Sequence, residues 1–262
     1  MIHLSEKDWA TISATQVCSK LTILPKLDGL SSKNKSALAK MLSLVIAEAS
    51  LELVPQELYK HNAITSYCKK TRKRPSEILL DNSWHFGAMK GLKNEIKRGR
   101  PDLVHFCLLE ACTIPLYFED EISVYVHTID DKVITVGEQV RFPKSYHRFA
   151  GIIEQLYVTK TIKADDKKLF EIKNMSFAEL IEKISPDQVI GLSSEGKKSS
   201  YESVAKMCTD DSCLVIGGFP KGEFFESTKK NIDSLYSVDE NPLEAHVVVA
   251  RTLYEYEKTI FM

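Results

Sequence analysis

The chain has 262 residues, of which 44% are hydrophobic and 27% charged, with a formal net charge of −1. That length buries one large core or two modest ones, and the composition excludes a disordered chain. The near-neutral balance excludes a protein that coats nucleic acid by bulk electrostatics, although local basic clusters can still bind it.

No run approaches the roughly 18 apolar residues needed to span a bilayer. Glu6 and Asp8 interrupt the start, where a signal peptide requires an apolar segment, so the expected location is the cytoplasm. Residues 1–40 read as a Lys- and Ser-rich N-terminal extension. It holds a short helix after Ser5, whose spacing to Asp8 has capping-box character, and a linker over 31–36. The core domain is expected to span 41–262, opening with a buried strand over 42–49.

Alternation of helix and strand follows. The pattern predicts helix over 55–61, extended chain over 78–81, helix over 85–92 and an apolar helix over 103–113, just after Pro101. Strands over 122–128 and 133–136 flank a hairpin turn at Asp130 and Asp131, and helix returns over 146–157. Strands over 169–172, 188–192, 213–216 and 235–238 interleave with helices over 177–184, 201–207 and 243–257. This order predicts an α/β fold with a mostly parallel sheet flanked by helices. Ligands of such sheets gather beyond the carboxyl ends of the strands.

Six cysteines stand at 18, 68, 107, 112, 208 and 213, without the two-residue gaps of zinc ribbons or redox pairs. They read as buried thiols, and no metal site is expected. His85, His105 and His127 lie in apolar or strand contexts and read as core histidines. No nucleophile–histidine set has a supporting local signature.

Two glycine loops remain. Gly191 to Ser199 nearly fits the phosphate loop G-x-x-x-x-G-K-[ST], but Lys198 stands where Mg²⁺ needs a hydroxyl, and Glu195 would face the phosphates. Strand 213–216 runs into Gly217-Gly218-Phe219-Pro220-Lys221-Gly222, which fits neither the phosphate loop nor the dinucleotide fingerprint. Its glycines serve either a tight turn or the close approach of a ligand to bare backbone. A neutral or cationic ligand suits such a loop, and S-adenosylmethionine is one.

Three basic clusters stand at 69–74, 97–102 and 141–148, the last interleaved with Phe142, Tyr146 and His147. Each is either a solvated face or a contact for RNA phosphates and bases. Asp102 sits in the first turn of its helix, where the dipole favours a carboxylate. It can also hold the Arg100 guanidinium or act as a general base, and the orienting role is preferred.

Taken together, several motifs resemble those of a known family. They are Leu80-Asp81-Asn82-Ser83-Trp84-His85, Arg98-Gly99-Arg100-Pro101-Asp102-Leu103, Val124-Tyr125-Val126-His127-Thr128, Tyr146-His147-Arg148-Phe149-Ala150-Gly151 and Ile216-Gly217-Gly218-Phe219-Pro220-Lys221-Gly222. In this order, from about Met41 to the C-terminus, the chain resembles the archaeal pseudouridine N1-methyltransferases of small-subunit rRNA, which are SPOUT, or trefoil-knot, enzymes. The resemblance implies a deep C-terminal knot, a homodimer and S-adenosylmethionine as cofactor. The cofactor site implied is Leu192 and Gly196; Gly217, Gly218, Phe219 and Gly222; and Leu235, Tyr236, Ser237, Val238, Asp239, Glu240 and Leu243. Arg100, Arg141, Lys144 and Arg148 would contact rRNA, with Asp102 steadying Arg100. Lys144 stands where the family carries arginine, Glu223 replaces an aspartate and His246 a tryptophan. The expected activity is methylation of a pseudouridine N1 during small-subunit biogenesis. The alternatives are a non-catalytic rRNA-binding assembly factor and, more remotely, a phosphate-loop nucleotidase.

Overall fold

The computed structural model describes residues 41–262; the short helix and linker expected within 1–40 lie outside the described residues. One eight-stranded sheet organises the chain. Its strands are β1 (Leu42–Ala49), β2 (Ile122–Thr128), β3 (Lys132–Val136), β4 (Thr161–Ala164), β5 (Lys167–Asn174), β6 (Gln188–Lys198), β7 (Ser212–Gly217) and β8 (Ser234–Ser237), in the spatial order β4-β5-β3-β2-β1-β7-β6-β8. From β2 to β8 every pairing is parallel, while β3, β5 and β4 extend the other edge as antiparallel strands. β1 lies at the centre with all eight residues buried. It therefore reads as a mainly apolar run, as a strand covered on both faces does, broken only by Ser43 and Glu48.

Around the sheet lie α1 (Asn62–Thr71), α2 (Asn82–Met89), α3 (Pro101–Ala111), α4 (Pro115–Phe118), α5 (Tyr146–Thr159), α6 (Phe177–Ile184), α7 (Tyr201–Met207), α8 (Glu226–Lys229) and α9 (Ala245–Phe261). On one face Leu42, Leu44 and Ile46 of β1 join a core with α3, α5 and α9. On the other, Val45 and Ala47 meet Phe177 and Leu180 of α6. A satellite core, including Ile64, Ile78, Leu80, Ala88 and Met89, holds α1 and α2 together. Local signals set several ends. Ser176 and Glu179 form a reciprocal capping box that opens α6, and Pro101 opens α3 with Asp102 in its first turn.

The structure departs from the expected elements in several places. The helix expected over 55–61 is only a 3₁₀ turn, Gln56–Leu58, and the extended chain near 78–81 makes a single bridge from Leu79 to Leu53. Residues 62–71 form helix, and the short edge strand β4 adds a pairing. β6 continues to Lys198 through a register shift between Leu192 and Lys197, so the near-miss phosphate motif is extended chain with no loop to wrap a phosphate. α5 begins at Tyr146, as expected, with Lys144 just before its N-cap Ser145 and Arg148 in its first turn.

Cys68, Cys107, Cys112, Cys208 and Cys213 are free thiols. Burial pushes Cys208 and Cys213 up to about 12, which keeps them protonated and unreactive. The three core histidines are buried and bonded. His85 Nδ1 accepts from the Asp81 amide at 3.0 Å, His105 Nε2 meets the Pro143 carbonyl at 2.7 Å, and His127 Nδ1 accepts from the Glu48 amide at 3.3 Å.

β7 leaves the sheet against β1. Gly218 donates to the Ala47 carbonyl at 2.8 Å and accepts from the Ser50 amide at 2.8 Å. A Cβ on Gly218 would lie 2.8 Å from Ala49 Cα and 2.7 Å from Ile46 Cγ2, so the two chains meet this closely only through glycine.

Two predictions follow from this packing. Gly218→Ala is expected to lower stability by about 1–3 kcal/mol through overpacking. Gly151→Ala, in α5 with no atom near its missing Cβ, is expected to raise stability by about 0.5–1 kcal/mol. Urea denaturation midpoints of the two variants should move in opposite directions. The second concerns pH. Burial lowers the pKa of His85, His105 and His127 below the ordinary value, so below about pH 6.5 the unfolded chain binds protons that the folded chain refuses. Stability should be full above that value and fall as pH drops, read as a lower midpoint at pH 5.5 than at pH 7.5. Equal midpoints would show that the three rings accept protons in place.

Candidate functional site

Beyond the carboxyl ends of the parallel strands lies a cleft of about 380 Å³ built by three segments. β6 supplies Leu192, Ser193 and Ser194; β7 and its following loop supply Ile216, Gly217 and Phe219 to Phe224; the chain from β8 into α9 supplies Ser237, Val238, Asp239, Asn241, Pro242, Leu243, Ala245 and Val248. The three strands are neighbours, with Leu192 opposite Ile216 and Tyr236, so parallel pairing delivers their ends to one place.

Of the residues expected to hold a cofactor, Leu192, Gly217, Phe219, Gly222, Ser237, Val238, Asp239 and Leu243 line this cleft. The others stand around it. Gly196 lies on the Tyr236 backbone, where a Cβ would come within 2.4 Å, and Gly218 lies on β1. Leu235 packs below Gly191, Tyr236 packs against the main core, and Glu240 pairs with Lys198 at the surface at 2.5 Å. Gly222 takes φ +94, a conformation that turns the loop back and that other residues rarely adopt.

The walls are mainly apolar side chains and backbone. Charge enters through Glu223, Asp239 and Lys221. Glu223 bridges the mouth, accepting from Ser193 Oγ at 2.5 Å and from Ser194 Oγ at 2.9 Å. Asp239 Oδ1 accepts from the Asn241 backbone amide at 2.8 Å and from its side chain at 3.1 Å, which holds the carboxyl below its usual range. Such a lining suits a flat neutral ring and a cationic group and gives a polyphosphate little to bind.

Beneath the loop lies an interaction that the sequence reading missed. Glu48, with no solvent exposure and φ +51, is the penultimate residue of β1; its Oε2 pairs with Lys97 Nζ, and Lys97 is 4% exposed. Glu48 Oε1 accepts from the Phe225 amide at 2.7 Å, and the Lys97 ammonium stands 3.9 Å from the ring centroids of both Phe219 and Phe225. Burial pulls the lysine pKa down, and the glutamate opposes that pull. Ser50 Oγ also bonds the Lys97 carbonyl. The only signal in the sequence was a carboxylate inside an apolar strand.

The basic cluster 97–102 therefore divides. Lys97 and Arg98 are spent on the interior: Arg98 forks onto the buried Glu52 through Nε and Nη2, both at 2.6 Å. Arg100 remains half-buried and forms its own fork with Asp102, at 2.8 and 2.9 Å. Planar pairing of this kind fixes the guanidinium in one orientation. Arg141, Lys144 and Arg148 are exposed and have no ion-pair partner among the described residues. The bond from His105 to the Pro143 carbonyl ties their loop to the helix that starts beside Arg100. Among the described residues no group of three or more His, Cys, Asp or Glu could hold a metal ion, and no helix is long and apolar enough to cross a membrane.

Comparison with known proteins agrees over nearly all of this architecture. The EMG1/NEP1 methyltransferase family matches residues 44–257. "Ribosomal RNA small subunit methyltransferase Nep1" of Pyrococcus furiosus is 38% identical over 220 residues, covering 83% of this chain and 97% of the relative. The protein of the same name from Staphylothermus marinus is 36% identical over 214 residues, covering 81% and 93%. Among solved structures, Archaeoglobus fulgidus Nep1 bound to S-adenosylhomocysteine superposes with a TM-score of 0.76 at 33% identity, covering 86% of this chain and all of that one. Matched by the family over residues 44–257 and by these relatives over most of both chains, the chain belongs to the EMG1/NEP1 methyltransferase family.

Proposed function

We propose that the protein methylates the N1 nitrogen of a pseudouridine in small-subunit rRNA, with S-adenosylmethionine as methyl donor. The observation that carries this reading is the single cleft where β6, the glycine loop and the turn into α9 meet. The relatives are small-subunit rRNA methyltransferases by name, and the Archaeoglobus fulgidus protein holds S-adenosylhomocysteine.

The lining fits this donor on chemical grounds. Backbone at Gly217 and apolar Leu192, Ile216 and Leu243 suit an adenine ring, and the Glu223 and Asp239 carboxylates favour the cationic part of the molecule. When bound, the donor supplies an electrophilic methyl on a sulfonium. The chain's own part is to position and to exclude water. Glu223 and the two serines close the mouth, and the Glu48–Lys97 pair holds the loop from below.

Arg100, Arg141, Lys144 and Arg148 form the RNA side of the reading. Pseudouridine is linked to its sugar through carbon, so its N1 carries a hydrogen and is free to react. Arg100, held in one orientation by Asp102, presents a fixed guanidinium to bind the RNA. Lys144, a point charge in place of an arginine fork, gives a phosphate contact without bidentate geometry. The reading also includes a knotted C-terminal segment, a cytoplasmic location and a homodimer. The exposed Phe106, Tyr254 and Phe261 support an interface along α3 and α9.

The assignment is tested with labelled cofactor and two RNAs that differ only in uridine or pseudouridine at the target position. Label should enter the pseudouridine RNA alone; equal labelling would remove the nucleoside assignment, and binding of RNA without transfer would favour an assembly factor. A second experiment separates the two roles of Asp102. Asp102→Asn should raise KM for RNA several-fold with kcat nearly kept, whereas a fall in kcat by roughly 10²-fold or more would mark it as the general base.

A further inference from the structure

We propose that the face formed by α1 and α2 is a second RNA-binding surface, on which the Trp84 indole stacks a base of the single strand flanking the target nucleotide. The inference rests on the rRNA reading above. Between residues 62 and 94 the chain carries seven Lys or Arg and only two acidic side chains, Glu77 and Asp81, in a protein whose net charge is −1. Both acids are occupied within the fold. Glu77 pairs with Arg74 at 2.5 Å, and Asp81 is buried as the N-cap of α2. Lys69, Lys70 and Arg72 are exposed at the end of α1.

An apolar ring stands among these cations. Trp84, in the first turn of α2, is 46% exposed, with the Lys70 ammonium 4.9 Å from its ring centroid and the Tyr67 ring at 5.5 Å. An indole half open to water beside a held ammonium offers a stacking platform and, next to it, a phosphate contact. This combination binds single strands without reading sequence. Packing alone does not require it, because the buried side of α2 is supplied by His85, Ala88 and Met89.

The position also joins this face to the proposed substrate cations. The Asn82 amide donates to the Gly99 carbonyl at 2.9 Å, next to Arg100, and the Tyr146 hydroxyl donates to Asp81, two residues before Arg148. Lys73 pairs with Glu154 of α5. The three contacts join the start of α2 and the end of α1 to the Gly99–Arg100 turn and to α5, which gives an RNA strand leaving that cluster a short path onto α2.

The test uses the full chain with Trp9→Phe, which leaves Trp84 as the one indole of the two in the sequence. One RNA is the target loop on a short blunt stem, and the other carries in addition a single-stranded flank of about 10 nucleotides. The flanked RNA should quench Trp84 emission and show a KM lower by roughly tenfold, a stacking contact's worth. Trp84→Ala should erase that advantage with cofactor binding unchanged, Trp84→Phe should restore most of it, and Lys70→Gln should reduce the salt dependence of RNA binding by about one charge. An unquenched Trp84 together with an unchanged KM in Trp84→Ala would overturn the proposal. If the unmutated protein methylates neither RNA, the methyltransferase reading falls, and quenching by the flanked RNA still decides the Trp84 contact.

Discussion

A carboxylate removed from water must find positive charge and hydrogen-bond donors, and Glu48 finds both by drawing three distant segments together. It lies one residue before the end of β1, its Lys97 partner closes the turn before α3, and the amide it accepts from belongs to Phe225 beyond the glycine loop. Removing one partner from a buried pair costs about 3–5 kcal/mol, because the survivor is left charged and dry. That penalty is large against a typical net stability of 5–15 kcal/mol. The floor of the cleft is thus held by an electrostatic requirement, and the glycines above it only make the required approach sterically possible.

Most of the sheet was legible because its central strands are apolar runs bounded by turn residues, as β1 and β7 are. What escaped was set by tertiary context. The helix α1 carries a weakly apolar, Lys-rich sequence that reads as a charge cluster, and it is held as helix by the satellite core around Ile64 and Leu80. β4 is too short to show alternation and exists by pairing with β5. The continuation of β6 to Lys198 depends on a backbone contact between Gly196 and Tyr236, which no local pattern encodes.

The site was legible to a different degree. The glycine loop announced a special backbone, and the resemblance brought in the segments from Leu192 and Leu235; periodicity alone would not have joined the three. That Ser193 and Ser194 reach across the cleft to Glu223 was not legible, since no local pattern pairs them. Charge clusters proved the least informative signal. Lys97 and Arg98 belong to the same basic run as Arg100, yet they serve buried glutamates, and only the fold separates structural cations from those left facing outward.

The strand order carries a temporal consequence. β1, at residues 42–49, stays unpaired on one side until β7 is made, since Ser43 aligns with Cys213 and Ile46 with Ile216. The cleft is completed later still, by residues that lead into the last helix. Pairings this distant in sequence close slowly, and a nascent chain cannot form them until β7 has left the ribosome. A nascent chain that has not yet reached Val248 therefore lacks part of the cleft's lining, and the site is assembled from β6 onward as those segments arrive.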